Sequence, residues 1–301
     1  IVQHEYGLYD GRDGVSILAL MARLTVPTMV VAHTVVGDPS ASQRYILGEV
    51  CRMADVVVVM TDTARDRLIA GFDVEAGKVV VIPHGAATPL ANPAFSSQRP
   101  NPATPRLLTW GLLGPGKGIE WAIDSLDAVA DLRPHPEYIV AGVTHPKVRE
   151  QCGEAYREML VARATQSRSG SHVVFDDAYR DLESLTELIT SADLVVLPYD
   201  SADQVTSGVL VDAVAAGRPV VSTAFPHAVE LLASGAGIVV PQRDPIALGE
   251  AIRSVLTDPD LAASMAAEAS RLASGLSWAA VTERYVTLAG EITDERARVA
   301  R

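Results

Sequence analysis

The chain has 301 residues, room for one large or two medium domains, and a net charge of −12. That acidity argues against a nucleic-acid partner, because phosphate backbones are gripped by basic faces. Apolar residues make up 48%, no apolar run approaches the ~18 residues of a membrane span, and the two cysteines, Cys51 and Cys152, stand far apart with no C-x-x-C motif or His cluster. A disulfide framework, a zinc site and a spanning helix are thereby set aside, and two reduced thiols fit a cytoplasmic protein.

Short Val- and Ile-rich runs alternate with amphipathic segments, the pattern of βαβ units and parallel sheets. The first series of expected strands is Ile1–Gln3, Met29–Ala32, Val56–Met60 and Val79–Ile82. Four strands are few for a doubly wound domain, and the chain opens at Ile1 with no Gly-rich turn before it. The expectation is a first domain lacking roughly a hundred residues at its N-terminus, judged from usual domain sizes. Residues 87–105, ATPLANPAFSSQRPNPATP, carry five prolines and no periodicity, which is linker composition. The second series is Arg106–Trp110, Tyr138–Gly142, His172–Phe175, Leu194–Pro198, Val220–Thr223 and Gly237–Val240. The expected organisation is an α/β chain with a partial first domain over 1–88, a linker over 89–105, a complete second domain over 106–275, and a helix over 276–301 that packs back on the first domain.

In open parallel sheets, ligands bind beyond the carboxyl ends of the strands, so the residues just after each strand are the ones to examine. Two such domains facing each other would form one deep cleft. His4 and Glu5 follow the first strand and are candidates for that cleft, as is His33 after the second. After Arg106–Trp110 comes GLLGPGKGIEWAI, in which glycines and a proline surround Lys117 ahead of a helix. Glycines let backbone amides approach an anion, a helix N-terminus adds its dipole, and Lys117 adds a full charge. The spacing is neither G-x-x-x-x-G-K-[ST] nor G-x-G-x-x-G, and by itself the loop also reads as a surface turn with a solvated lysine. After Leu194–Pro198 comes QVTSGVLVDAVAAGRPVVST, residues 204–223. Ser207 and Gly208 open a helix to about Ala216, and Gly208 and Asp212 share one face of it. Amides at Ser207–Val209 could hold a diphosphate, with Asp212 in reach of a sugar hydroxyl. Taken alone, Ser207 is equally a helix cap and Asp212 a solvated acid. His145 in VTHP and Tyr179 and Asp177 in HVVFDDAYRD also follow strands, and the latter segment lies where a base would stack or hydrogen-bond. His84 reads as a loop residue and His227 as a weak candidate.

The pairing of the GLLGPGKG loop (111–118) with P-Y…S-G…D-A-x-A-A-G-x-P-V-V resembles the retaining glycosyltransferases of family four (glycosyl transferases group 1). KVVVIPHGA (78–86) and MADVVVVMTDTARDRL (53–68) are similar to that family's segments at the end of the first domain. The resemblance covers essentially the whole chain and implies the GT-B fold, two facing Rossmann-like domains, the first on the acceptor side and the second binding the nucleotide sugar. It implies that Lys117 contacts the donor diphosphate, with Gly114 in the loop beneath it. Ser207 and Gly208 match the amides that hold the donor, Asp212 the acid on the ribose, and Gln204 the position of the acid that touches the transferred sugar. His33 matches the first-domain histidine near that sugar. Gln204 stands where the family has an acid, Asp212 is one methylene shorter than Glu, and Leu112 occupies the place of an arginine. The implied reaction moves a sugar from a nucleotide diphosphate sugar to a hydroxyl acceptor with retention, with no cofactor and no metal. A nucleotide-sugar epimerase of the same fold and a non-catalytic sugar-nucleotide binder are the alternatives. A cytoplasmic, or membrane-peripheral, location fits an acceptor in polysaccharide or glycoconjugate synthesis.

Overall fold

Runs of β-branched residues make ten parallel strands in two sheets among the residues described by the computed structural model, 1–87 and 103–299. The chain divides into two units: Ile1–Gly85 with Ala202–Ser207 and Trp278–Arg301, and Ala86–Ser201 with Gly208–Ser277. Most of the proline-rich stretch read as a linker lies outside the described residues.

In the first unit, β1 (Val2–His4), β2 (Met29–Ala32), β3 (Val56–Val59) and β4 (Val79–Val81) lie side by side in that order, all parallel. The connections carry α1 (Ile17–Met21), α2 (Ala41–Met53) and α3 (Asp62–Phe72). Ser40 and Gln43 cap α2 reciprocally, and the Thr61 hydroxyl caps α3 by accepting from the Ala64 amide. Side chains alternate across a strand, so Val30, Ala32, Val57 and Val59 share one face and bury against Ile46, Leu47 and Leu68 of the helices.

The second unit holds β5 (Arg106–Trp110), β6 (Glu137–Ala141), β7 (Val173–Asp176), β8 (Leu194–Leu197), β9 (Val220–Thr223) and β10 (Gly237–Val240). Its helices are α4 (Ile119–Ser125), α5 (Pro146–Cys152), α6 (Ala155–Gln166), α7 (Leu182–Ser191), α8 (Gly208–Ala215), α9 (Pro226–Leu231), α10 (Pro245–Thr257) and α11 (Pro259–Leu276). The sheet order is β10-β9-β8-β5-β6-β7. The chain lays β6 and β7 to one side of β5, then crosses to build β8, β9 and β10 on the other. The direction of winding therefore reverses between β5 and β8. Both faces are covered, as parallel sheets require. Leu108, Trp110, Val195 and Leu197 pack against α8 and α11, while Leu107, Leu194 and Val196 pack against α4, α6 and α10. Each such fully buried Leu or Val contributes about 1.5–3 kcal/mol.

The C-terminal helix α12 (Trp278–Val299) covers the remaining face of the first sheet. Its Val281 and Leu288 close over Met29, Val31, Val56 and Val58, and Arg296 pairs with Asp55 at 3.2 Å. No described helix is long and apolar enough to cross a membrane.

Candidate functional site

The point where winding reverses in the second unit is where side chains and backbone converge. At Gly118 the backbone has φ 64° and a Cβ would stand 1.8 Å from the Pro198 carbonyl oxygen, so only glycine lets the loop after β5 lie against the end of β8. The Asp200 amide donates to the Gly116 carbonyl at 2.9 Å, tying the two loops together. The far side of the second loop is fastened by Arg243, whose Nε lies 2.6 Å from Asp200 Oδ2, and by Gln242, which donates to the Ser201 carbonyl. Held this way, the Lys117 Nζ sits 4.3 Å from the centre of the Tyr199 ring. The ring face attracts the ammonium. Tyr199 is fully buried and stacks on Phe225, which fixes the platform. Burial lowers the pKa of Lys117, and among the described residues no ion pair offsets it.

Helix α8 begins at Gly208 beyond the same strand, β8, giving this unit a helix N-terminus at the carboxyl side of the sheet. Gly111 has φ 119°, and a Cβ on it would come within 3.7 Å of Val209 in the first turn of α8, so the loop after β5 runs near the start of the helix. Asp212, one turn on and half-buried, accepts from the Ala87 amide at 3.2 Å. A carboxylate has up to four acceptor positions, so one such bond leaves it able to take further donors. Gly114 is buried and Leu112 is 43% exposed. The structure thus gathers Gly114, Lys117, Gly208 and Asp212 beyond the ends of β5 and β8. Beside them, past β5, β6 and β7, opens a cavity of about 180 Å3 whose wall includes Trp110, Ala141, Val143, Ala178, Tyr179 and Arg180. Tyr179 stands at its rim, 93% exposed. His145 serves as a helix cap, its Nδ1 accepting from the Lys147 amide at the start of α5.

The other candidates lie in the first unit. His33 follows β2, and its Nε2 is 2.5 Å from Gln3 Oε1. Burial lowers its pKa and His84 adds to that, against the opposing pull of Glu5. The ring is therefore neutral at pH 7. Glu5 accepts from the Thr34 hydroxyl at 2.6 Å and from the Tyr6 amide. His4 is 1% exposed and meets Tyr6 edge-on, so its ring lies in the interior of the unit. Gln204 and Ser207 belong to the segment 202–207, which the sequence places in the second domain but which contributes to the first unit. Asp203 accepts from the Gly37 amide at 3.0 Å, Arg67 donates to the Ala202 carbonyl at 2.9 Å, and the Thr61 hydroxyl donates to the Val205 carbonyl at 3.1 Å. Val205 is buried in this unit's core. Gln204 is thus held between two fixed neighbours, half-buried.

Sequence reasoning passed over several residues. Tyr199 closely follows β8 at the switch point, a position that marks it in retrospect. A second cavity, about 280 Å3, is lined by His33 together with His84, Trp278 and Tyr285. Trp278 lies flat on Gly85, where a Cβ would meet its ring at 2.4 Å. Its partners are nearly two hundred residues apart in sequence, and no local pattern joins them.

Comparison with known proteins identifies the family and the fold class. The family model for glycosyl transferases group 1 matches residues 104–258, and that for glycosyltransferase family 4 matches residues 9–88. The chain is similar to the D-inositol 3-phosphate glycosyltransferase of Corynebacterium urealyticum, 25% identical over 82% of this chain and 59% of that protein. It is also similar to the glycogen synthase of Mycobacterium tuberculosis, 29% identical over 76% of this chain and 52% of that protein. The chain therefore spans about half to six-tenths of the length of these curated relatives. Among solved structures, the sucrose-phosphate synthase of Thermosynechococcus elongatus superposes with a TM-score of 0.76 at 20% identity, covering 92% of this chain and 70% of that one. Anabaena HepE, solved in complex with UDP-glucose, superposes with a TM-score of 0.68 at 21% identity, covering 89% and 72%. The fold class is that of the GT-B glycosyltransferases. With a group 1 model spanning its second unit and a family four model spanning most of its first, the chain belongs to the glycosyl transferases of group 1, family four.

Proposed function

We propose that this chain belongs to an enzyme that transfers a sugar from a nucleotide diphosphate sugar to a hydroxyl acceptor with retention of anomeric configuration. The observation that carries the reading is Lys117, poised on the Tyr199 ring where winding reverses, with α8 starting beyond the adjacent strand β8. A half-buried cation on the same side of the sheet as a helix N-terminus suits a diphosphate. Asp212 takes ribose hydroxyls. In the first unit, the neutral His33 and the uncharged Gln204 are the groups assigned to hydroxyls of the transferred sugar.

In the reaction, the bond between the anomeric carbon and the donor phosphate oxygen breaks while the acceptor oxygen bonds to that carbon on the same face. The acceptor proton passes to the departing phosphate. No protein nucleophile is assigned, and charge growing on the diphosphate is met by Lys117 and helix amides, with no metal assigned. The relatives include enzymes named for inositol phosphate and glycogen, which supports a hydroxyl acceptor without choosing one.

The test is turnover. Incubated with nucleotide sugars and a panel of polyol and sugar acceptors, the protein is expected to release nucleoside diphosphate. The proton NMR coupling of the new anomeric proton is expected to match that of the donor. Release with inverted coupling would remove the retaining assignment. Interconversion of donor sugars without release would replace the transferase by an epimerase, and binding without turnover would leave a sugar-nucleotide binder.

A further inference from the structure

His33, the ring assigned above to the transferred sugar, has a side-chain partner that the reaction does not use. Gln3 is opposite Val31 in the parallel register of β1 and β2, and His33 stands two residues beyond Val31, so the two side chains share one face of the sheet. The His33 amide donates to the His4 carbonyl at 3.0 Å, which carries the pairing past the end of β2. The Tyr9 hydroxyl donates to the Gln3 carbonyl at 2.8 Å and holds the other backbone. Gln3 Oε1 then meets His33 Nε2 at 2.5 Å, and both residues line the cavity of about 280 Å3 in the first unit. A carbonyl oxygen only accepts, so this contact needs the proton on Nε2 and leaves Nδ1 as an acceptor. The chemistry of the partner matters as much as its place. A carboxylate against an imidazole favours the charged ring, whereas an amide orients the ring and adds no charge. The carboxylate that acts on His33, Glu5, is engaged elsewhere: it accepts from the Thr34 hydroxyl at 2.6 Å and from the Tyr6 amide at 2.9 Å.

We propose that Gln3 is a positioning residue: it fixes the tautomer of His33 without charging the ring, so that Nδ1 accepts a hydrogen bond from a hydroxyl of the transferred sugar. The opposite tautomer would present an N–H at that atom, and a charged ring would present two. The sugar contact rests on the transfer reaction proposed above, whereas the hold of Gln3 on the ring does not.

Long-range nitrogen–proton NMR of the histidine rings tests it on the parent, Gln3→Leu and Gln3→Glu, with His33→Asn identifying the His33 signals. Gln3 is exposed, so its variants leave the apolar core intact, and near-ultraviolet circular dichroism checks that they are folded. The other titratable groups around this ring, His4, Glu5, His84 and Tyr285, are the same in all three proteins. The parent is expected to carry its proton on Nε2 with Nδ1 bare, and Gln3→Leu to exchange between both tautomers. Gln3→Glu should keep the Nε2 proton but take up a second one at higher pH than the parent. In transfer assays, Gln3→Leu should lower kcat by roughly tenfold with little change in the KM for the nucleotide sugar. Gln3→Glu should shift the acid limb of the rate to higher pH and recover most of the parent's rate above it. A parent ring protonated on Nδ1, or a tautomer unchanged in Gln3→Leu, would overturn the role of Gln3 whatever the protein transfers. A Gln3→Leu protein with altered tautomers and the parent's rate would overturn the sugar contact. A parent with the expected tautomer that turns over no nucleotide sugar would overturn the transfer reading, and the sugar contact with it, while the hold of Gln3 on the ring stands.

Discussion

Two half-buried nitrogens stand out at the residue scale, those of Lys117 and His33. Lys117 gives up hydration to sit on Tyr199, and its lowered pKa means that its charge is lost at a lower pH than in an exposed lysine. A diphosphate beside it would restore the favourable field. Burial, with His84 adding to it and Glu5 opposing it, favours the neutral ring of His33. His4 shows the structural cost of such placement. Burial depresses its pKa from 6.5 to about 4, with His33 adding to the effect and Glu5 opposing it. The folded state therefore binds fewer protons than the unfolded state between those values, and stability falls as pH drops. The contribution is whole above pH 6.5, and from the two values the loss reaches about 3 kcal/mol by the time the pH falls to 4. Urea unfolding across that range should show the loss, and His4→Leu, which has nothing to titrate there, should flatten it. A variant with the same pH slope as the parent would show that other groups govern the acid limb.

At the element scale, the strands were legible and the loops only partly. Ten Val- and Ile-rich runs became ten strands, because a strand buried on both faces needs little besides continuous apolar character. The differences are one-residue shifts at the ends, as where Ile1–Gln3 became Val2–His4. The loop after β5 was legible as a Gly-rich stretch around a lysine. Its partner was not: the 1.8 Å approach of Gly118 to Pro198 joins segments eighty residues apart, and no local pattern encodes it. The same holds for segment 202–207, drawn into the first unit by bonds from Gly37, Thr61 and Arg67. A prediction belongs here. Gly118→Ala must strain a left-handed residue and push the β5 loop off β8, at a cost of about 2 kcal/mol or more. A urea midpoint lowered to match, with an unchanged slope, is the expected reading. An unaltered midpoint would mean that the two loops do not depend on that contact.

Over the whole molecule, composition narrowed the class and the two sheets supplied the frame. Each unit has apolar clusters on both faces of its own sheet, so each carries a core of its own. Among the described residues, the first sheet obtains its second covering from α12, about two hundred residues further along the sequence. The acidic surface implied by a net charge of −12 does not prevent anion binding, because Lys117 and the start of α8 act within a few ångströms while distant acids are screened. Fold and family were accessible from paired loop motifs in the sequence.

The central claim is that the reversal point of the second sheet grips a nucleotide diphosphate sugar through Lys117 and Asp212. The direct measurement is calorimetric titration of UDP, GDP and ADP sugars into the protein and into Lys117→Ala and Asp212→Ala. One donor class should bind, with Lys117→Ala weakening it by roughly ten- to hundredfold and Asp212→Ala by about tenfold. Raising the pH through the lowered Lys117 pKa should weaken the parent protein and leave Lys117→Ala unmoved. A donor that bound both variants as tightly as the parent would contradict the account and place the nucleotide elsewhere.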